Sequence, residues 1–87
     1  MAGRWVLSTP NAPSCGLEFG GAPGARAGTV AAEGGCPENF YLSRRWMIEG
    51  GVLSITGGEN QPLAQLRVAG PRFEGQSTAG IPLTLAR

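Results

Sequence analysis

Glycine and proline punctuate this chain from end to end, fifteen of one and seven of the other in 87 residues, and they cut its apolar residues into short runs. That is the pattern of an all-β chain, with many short strands and a turn signal about every ten residues. The runs fall at residues 4–8, 15–19, 28–32, 44–49, 52–56, 63–68, 72–76 and 82–86. Trp5 and Leu7 share one face of the first. Cys15, Leu17 and Phe19 alternate with Gly16 and Glu18 in the second, and Val30 is the one large apolar residue of the third. Trp46 and Ile48, then Leu53 and Ile55, flank Gly50-Gly51, which reads as a two-residue hairpin turn. Gly57-Gly58-Glu59-Asn60, Gly70-Pro71 and Ser77-Thr78-Ala79-Gly80 mark the later turns. Pro82 fits a strand start, where no ladder donor is needed.

One segment breaks the pattern. Pro37 suits the first position of a helix and Glu38 the positive end of its dipole, so a single helical turn is expected over residues 37–42, covering one end of the fold. Eight strands joined mostly by short turns pair antiparallel with their neighbours. Eight such strands can close on an interior just filled by side chains. The expected fold is a single all-β domain, an eight-stranded antiparallel up-and-down barrel. Its inward set is Trp5, Leu7, Leu17, Phe19, Val30, Trp46, Ile48, Leu53, Ile55, Leu66, Phe73, Leu83 and Leu85. Two tryptophans and two phenylalanines inside leave little room for a ligand.

Trp5 and Arg87 stand at opposite ends of the sequence, in the first and last runs. A buried indole needs a cover and a partner for its N–H, and a guanidinium can lie across its face while hydrogen-bonding nearby backbone. Paired first and last strands would bring the two together next to Gly3, so Gly3, Trp5 and Arg87 are the residues expected at the barrel closure. The alternative is an ordinary core tryptophan and a solvated arginine.

A domain this small often carries a covalent staple. Cys15 and Cys36 are the only cysteines. They allow a disulfide, two buried thiols or half of a zinc site, and the lack of histidine and of a second cysteine pair weighs against zinc. A disulfide would imply an exported protein. Every cation is an arginine and every anion a glutamate, and the formal charge is +1. Such a balance provides no electrostatic footprint for nucleic acid or an anionic membrane. No stretch reaches the length of a membrane span and no signal-peptide pattern precedes Gly3, so an exported form would carry its targeting segment further upstream.

Catalysis has little to draw on. Histidine and lysine, the usual proton carriers besides a tuned carboxylate, are missing. Ser8, Ser14, Ser43, Ser54 and Ser77 have no base beside them in any motif. Gly20-Gly21-Ala22-Pro23-Gly24 lacks the lysine and following helix of a phosphate loop. Neither catalytic residues, nor metal ligands, nor a cofactor site are expected.

The ordered combination Gly3-x-Trp5, Cys15, Cys36-Pro37, Trp46, Arg72-Phe73-Glu74-Gly75-Gln76-Ser77-Thr78-Ala79-Gly80 and Leu83-Thr84-Leu85-Ala86-Arg87 resembles one family across the whole chain. It is similar to the bacterial alkaline-protease inhibitors of Inh type and the related outer-membrane lipoproteins of brucella-like bacteria. The Gly-x-Trp opener is shared more widely, among lipocalin-like calycin barrels. The resemblance implies an eight-stranded calycin-like barrel with a Cys15–Cys36 disulfide, no enzymatic activity, and a protease as partner. In the inhibitors of secreted metalloproteases, a trunk ahead of the Gly-x-Trp enters the protease cleft and blocks the catalytic zinc. In the lipoprotein branch, a lipidated cysteine and a linker precede the barrel. Only Met1 and Ala2 stand before Gly3 here. The expected protease-facing residues are Met1, Ala2, Gly3, Asn11 and Pro23, the last two on the loops 10–14 and 20–25, since rigid scaffolds carry recognition on loops. The expected setting is the periplasm, outer membrane or surface of a Gram-negative bacterium, with the domain a monomer. A structural or antigenic envelope role and a carrier of a small apolar ligand are the other two readings.

Overall fold

The computed structural model describes residues 1–10, 12–33, 36 and 40–87. Eight strands form a closed barrel in sequence order, β1 (Gly3–Ser8), β2 (Cys15–Gly20), β3 (Ala27–Glu33), β4 (Arg45–Glu49), β5 (Val52–Thr56), β6 (Pro62–Ala69), β7 (Arg72–Ser77) and β8 (Pro82–Ala86). All neighbours are antiparallel, and the barrel closes where Val6, Leu7 and Ser8 of β1 pair with Ala86, Leu85 and Thr84 of β8. The all-β, eight-stranded expectation holds, and each strand lies within a residue or so of its expected run. At Gly50-Gly51 the φ angles of +60° and +79° are the left-handed pair that a two-residue turn matched to strand twist demands.

The expected helical turn is a short 3-10 turn at Phe40–Leu42. Residues 37–39 lie outside the described residues. Ser43 pins the turn, its backbone N–H and its hydroxyl both donating to the Phe40 carbonyl, at 3.0 and 2.7 Å. The ring of Phe40 is fully buried.

Packing follows strand alternation. Trp5, Phe19, Trp46 and Phe73 form a chain of tilted and edge-to-face rings, with centroids 6.3 Å apart for Trp5–Phe19, 5.6 Å for Trp5–Phe73 and 6.1 Å for Phe19–Trp46. Leu7, Leu17, Leu53, Ile55, Leu66 and Leu85 fill the rest of the interior with no exposed surface. Charged and amide side chains such as Arg4, Glu18, Arg45, Gln65, Arg67 and Glu74 are exposed. This is the reverse of a membrane-spanning barrel, whose apolar band faces outward.

Two members of the expected inward set need revision. Ile48 is only partly buried: it stands near the rim, close to the Gly50-Gly51 turn, where its N–H donates to the Arg26 carbonyl at 2.7 Å just past the last strand pair of β3 and β4. Leu63, absent from that set, is fully buried. The β5–β6 register slips between Ile55, paired with Ala64, and Thr56, paired with Pro62, so a bulge turns Leu63 and Ala64 inward together.

Cys15, at the start of β2, is disulfide-bonded to Cys36 in the β3–β4 connection, with Cα atoms 5.1 Å apart. Gly28 makes room of a different kind. A Cβ there would overlap the Gly20 carbonyl oxygen and crowd the Trp46 indole nitrogen. That indole N–H donates to the same carbonyl at 2.9 Å. Gly28→Ala is expected to force β2 and β3 apart, cost about 1–3 kcal/mol, and shift the Trp46 indole N–H resonance. An unchanged melting temperature would show that the strands approach less closely than described.

Candidate functional site

An even number of up-and-down strands brings both ends of the chain to one end of the barrel. That end, the terminal end, carries residues 1–2, Arg87, the β2–β3 connection 21–26 and the turns at Gly50-Gly51 and Gly70-Pro71. The opposite end carries the β1–β2 and β3–β4 connections, residues 57–61 and residues 78–81. The two loops singled out in the sequence therefore do not share a surface. Pro23 is exposed on the terminal end beside Met1, Ala2 and Gly3. Asn11 lies outside the described residues, and its described neighbours Pro10 and Ala12 belong to the opposite end.

The geometry at the terminal end is specific. Arg87 follows Ala86, whose partner is Val6, so the ladder delivers the arginine next to Trp5. Its guanidinium carbon sits 5.0 Å from the centroid of the Trp5 ring, within cation–π range. The same guanidinium donates to the Ala2 carbonyl. The Trp5 indole N–H donates to the Met1 carbonyl at 3.2 Å, and Met1 packs partly buried against the core. Gly3 has φ +117°, and a Cβ on it would run into the Arg87 guanidinium. The chain thus enters β1 beneath its own last residue, with its first two carbonyls held by two different donors.

Arg4, between Gly3 and Trp5, faces outward and pairs with Glu33 at 2.8 Å, reaching across β2 above Gly16. Both side chains are about half exposed, so the pair adds little stability. Val68 lies opposite Phe73 at the terminal end and is 63% exposed. A broad open depression of about 620 Å³ lies elsewhere, with Gln65, Arg67, Glu74 and Gln76 among its lining residues. Its walls mix these with Val52, Pro62 and Ala64, and it lies wide open to solvent rather than enclosing a ligand. Among the described residues no three His, Cys, Asp or Glu side chains converge as metal ligands would.

The family model for the protease inhibitor Inh matches residues 1–87, the full length of the chain. The chain belongs to the protease inhibitor Inh family. No curated protein matches the chain. Family membership implies a protease as partner. The terminal end is where the first two residues and Arg87 meet. It presents a backbone segment held in a fixed pose, ringed by the exposed glycine turns Gly50-Gly51 and Gly70-Pro71. The residues sequence reasoning did not foresee there are Met1 and Ala2 as acceptors. The need of Trp5 for an N–H partner was readable, but the identity of that partner depends on where residues 1–2 fold.

Proposed function

We infer that this barrel inhibits a secreted metalloprotease by presenting the N-terminal side of Gly3 to the enzyme's cleft, with the terminal-end loops alongside. The observation that carries the reading is the family match over residues 1–87, and the anchored pose of Met1 and Ala2 supports it. An extended backbone held before binding loses less conformational entropy on docking, which is how a small inhibitor gains affinity. The Cys15–Cys36 bond supports an oxidising setting, so the proposed location is the periplasm or outer membrane, as the soluble part of a lipoprotein or as a free inhibitor.

The test is a titration of the protein against secreted zinc, serine and cysteine endoproteases, with residual activity followed on a peptide substrate. Stoichiometric inhibition confined to zinc enzymes is the expected result. Inhibition of a serine or cysteine enzyme alone would replace the metalloprotease assignment, and no inhibition of any class would remove the inhibitor reading.

A further inference from the structure

The β2–β3 connection, residues 21–26, is held at both of its ends by one strand, β4. On the β2 side the Gly20 carbonyl accepts the Trp46 indole N–H at 2.9 Å. On the β3 side the Arg26 carbonyl accepts the Ile48 backbone N–H at 2.7 Å. β4 borders β3 and not β2, so the indole reaches across β3 to make its bond. It passes at Gly28, the ladder partner of Trp46, where the missing Cβ leaves room for both the indole nitrogen and the Gly20 oxygen. Between these two holds the loop closes on itself. The Ala25 N–H donates to the Ala22 carbonyl at 3.0 Å around Pro23-Gly24, with Gly24 at φ +76°, the residues and the angle of a type II turn. A loop fixed in this way loses little conformational entropy when a partner docks on it. Pro23 and Gly24 are exposed at its tip and Arg26 at its foot. Among the described residues the ion pairs are Arg4–Glu33 and Arg72–Glu74, and Arg26 is in neither.

We propose that this loop is a preformed second arm of the inhibitor, in which Arg26 meets a carboxylate on the rim of the protease cleft and Trp46 is a positioning residue. The contact with the protease rests on the inhibitor reading above; the hold of Trp46 on the loop does not. A charge at a solvated rim contributes association rate and selectivity for an acidic surface more than it contributes affinity. Trp46 is buried, touches no part of the partner and acts only through the Gly20 carbonyl.

Inhibition kinetics at two ionic strengths test the contact, and backbone ¹⁵N relaxation tests the hold. Against a zinc endopeptidase that the wild-type protein slows, Arg26→Gln is expected to slow association about threefold to fivefold at low salt, the scale of one exposed ion pair. The difference should close at about 1 M salt, where screening acts within a few ångströms. Arg26→Lys should restore most of the rate. Arg45→Gln removes another exposed arginine, at the far end of β4, and should leave association unchanged. In the wild-type protein the amides of Gly21, Ala22 and Ala25 are expected to relax like those of β2 and β3. Trp46→Phe keeps a ring and loses the N–H, so it should mobilise these amides and shrink the effect of Arg26→Gln when the two are combined. Association unchanged in Arg26→Gln, or slowed as far in Arg45→Gln, would overturn the contact. Loop amides as mobile in the wild type as in Trp46→Phe, or an undiminished Arg26→Gln effect in that background, would overturn the positioning role. A wild-type protein that slows no protease would sink the inhibitor reading and the contact with it, while relaxation still decides the hold. Should Trp46→Phe fail to fold, hydrogen exchange of the Trp46 indole N–H in the wild type decides the hold instead. Slow exchange supports it, and exchange as fast as in a free indole overturns it.

Discussion

Replacing Trp5 with alanine is expected to cost about 3–5 kcal/mol, the usual range for removing a large buried aromatic. A small domain holds only about 5–15 kcal/mol in total, so much of the protein would be unfolded or close to it. The size of the effect comes from what the indole touches. Only 8% of Trp5 is exposed, and it meets Phe19 and Phe73 edge-on while Arg87 lies over it. Deleting it opens a cavity among rings at the terminal end and strips Arg87 of its platform. Urea titration checks this, with Trp5→Phe as the companion variant that keeps a ring and loses the N–H to Met1. A loss below about 1 kcal/mol for Trp5→Ala, within the range of ordinary substitutions, would mean that the indole is not a core element.

The second large effect belongs to the other end of the barrel. The Cys15–Cys36 bond spans a sequence separation of 21 residues. Removing a cross-link of that span costs about 3 kcal/mol in the loop-entropy model. For a domain of this size that corresponds to roughly 10–20 °C in melting temperature. The paired variant Cys15→Ser/Cys36→Ser should show this drop, and a thiol reductant should lower the melting temperature of the wild type but not of the variant. Because the bond lies away from the terminal end, variant that remains folded should inhibit as the wild type does. A melting temperature insensitive to both changes would show that the β3–β4 connection is held by packing alone.

Most of the fold was legible because glycine, proline and alternation all carried the same message. Gly50-Gly51 and Gly70-Pro71 marked turns, and Trp5, Leu17, Phe19 and Leu53 fell on the buried side. The places where reading failed are those where period-2 logic breaks. Leu63 is buried because a bulge adds a residue to β6, and nothing in Pro62-Leu63-Ala64 announces a bulge. Ile48 has the right parity but stands near the rim beside the Gly50-Gly51 turn, and how well the rim is covered depends on stagger around the whole barrel. The candidate site was legible in outline through Gly3, Trp5 and Arg87. The loops at 10–14 and 20–25 are both candidates from the sequence, and counting strands puts them at opposite ends. The grip on the Met1 and Ala2 carbonyls joins residues up to 85 positions apart, and sequence patterning has no signal for backbone acceptors.

The ladder between β1 and β8 also governs when the molecule can come into being. On the side away from β2, Val6 finds its partner only in Ala86, almost the whole sequence away. Contacts of such separation make folding slow, because a long loop must close before they return any energy. A chain emerging residue by residue from a ribosome or a translocation pore can build its middle hairpins early, but its first strand has no β8 to join until the last residues are free. Until then β1 presents an open edge, and the nascent chain stays threadable. The barrel closes only once β8 is free to pair with β1.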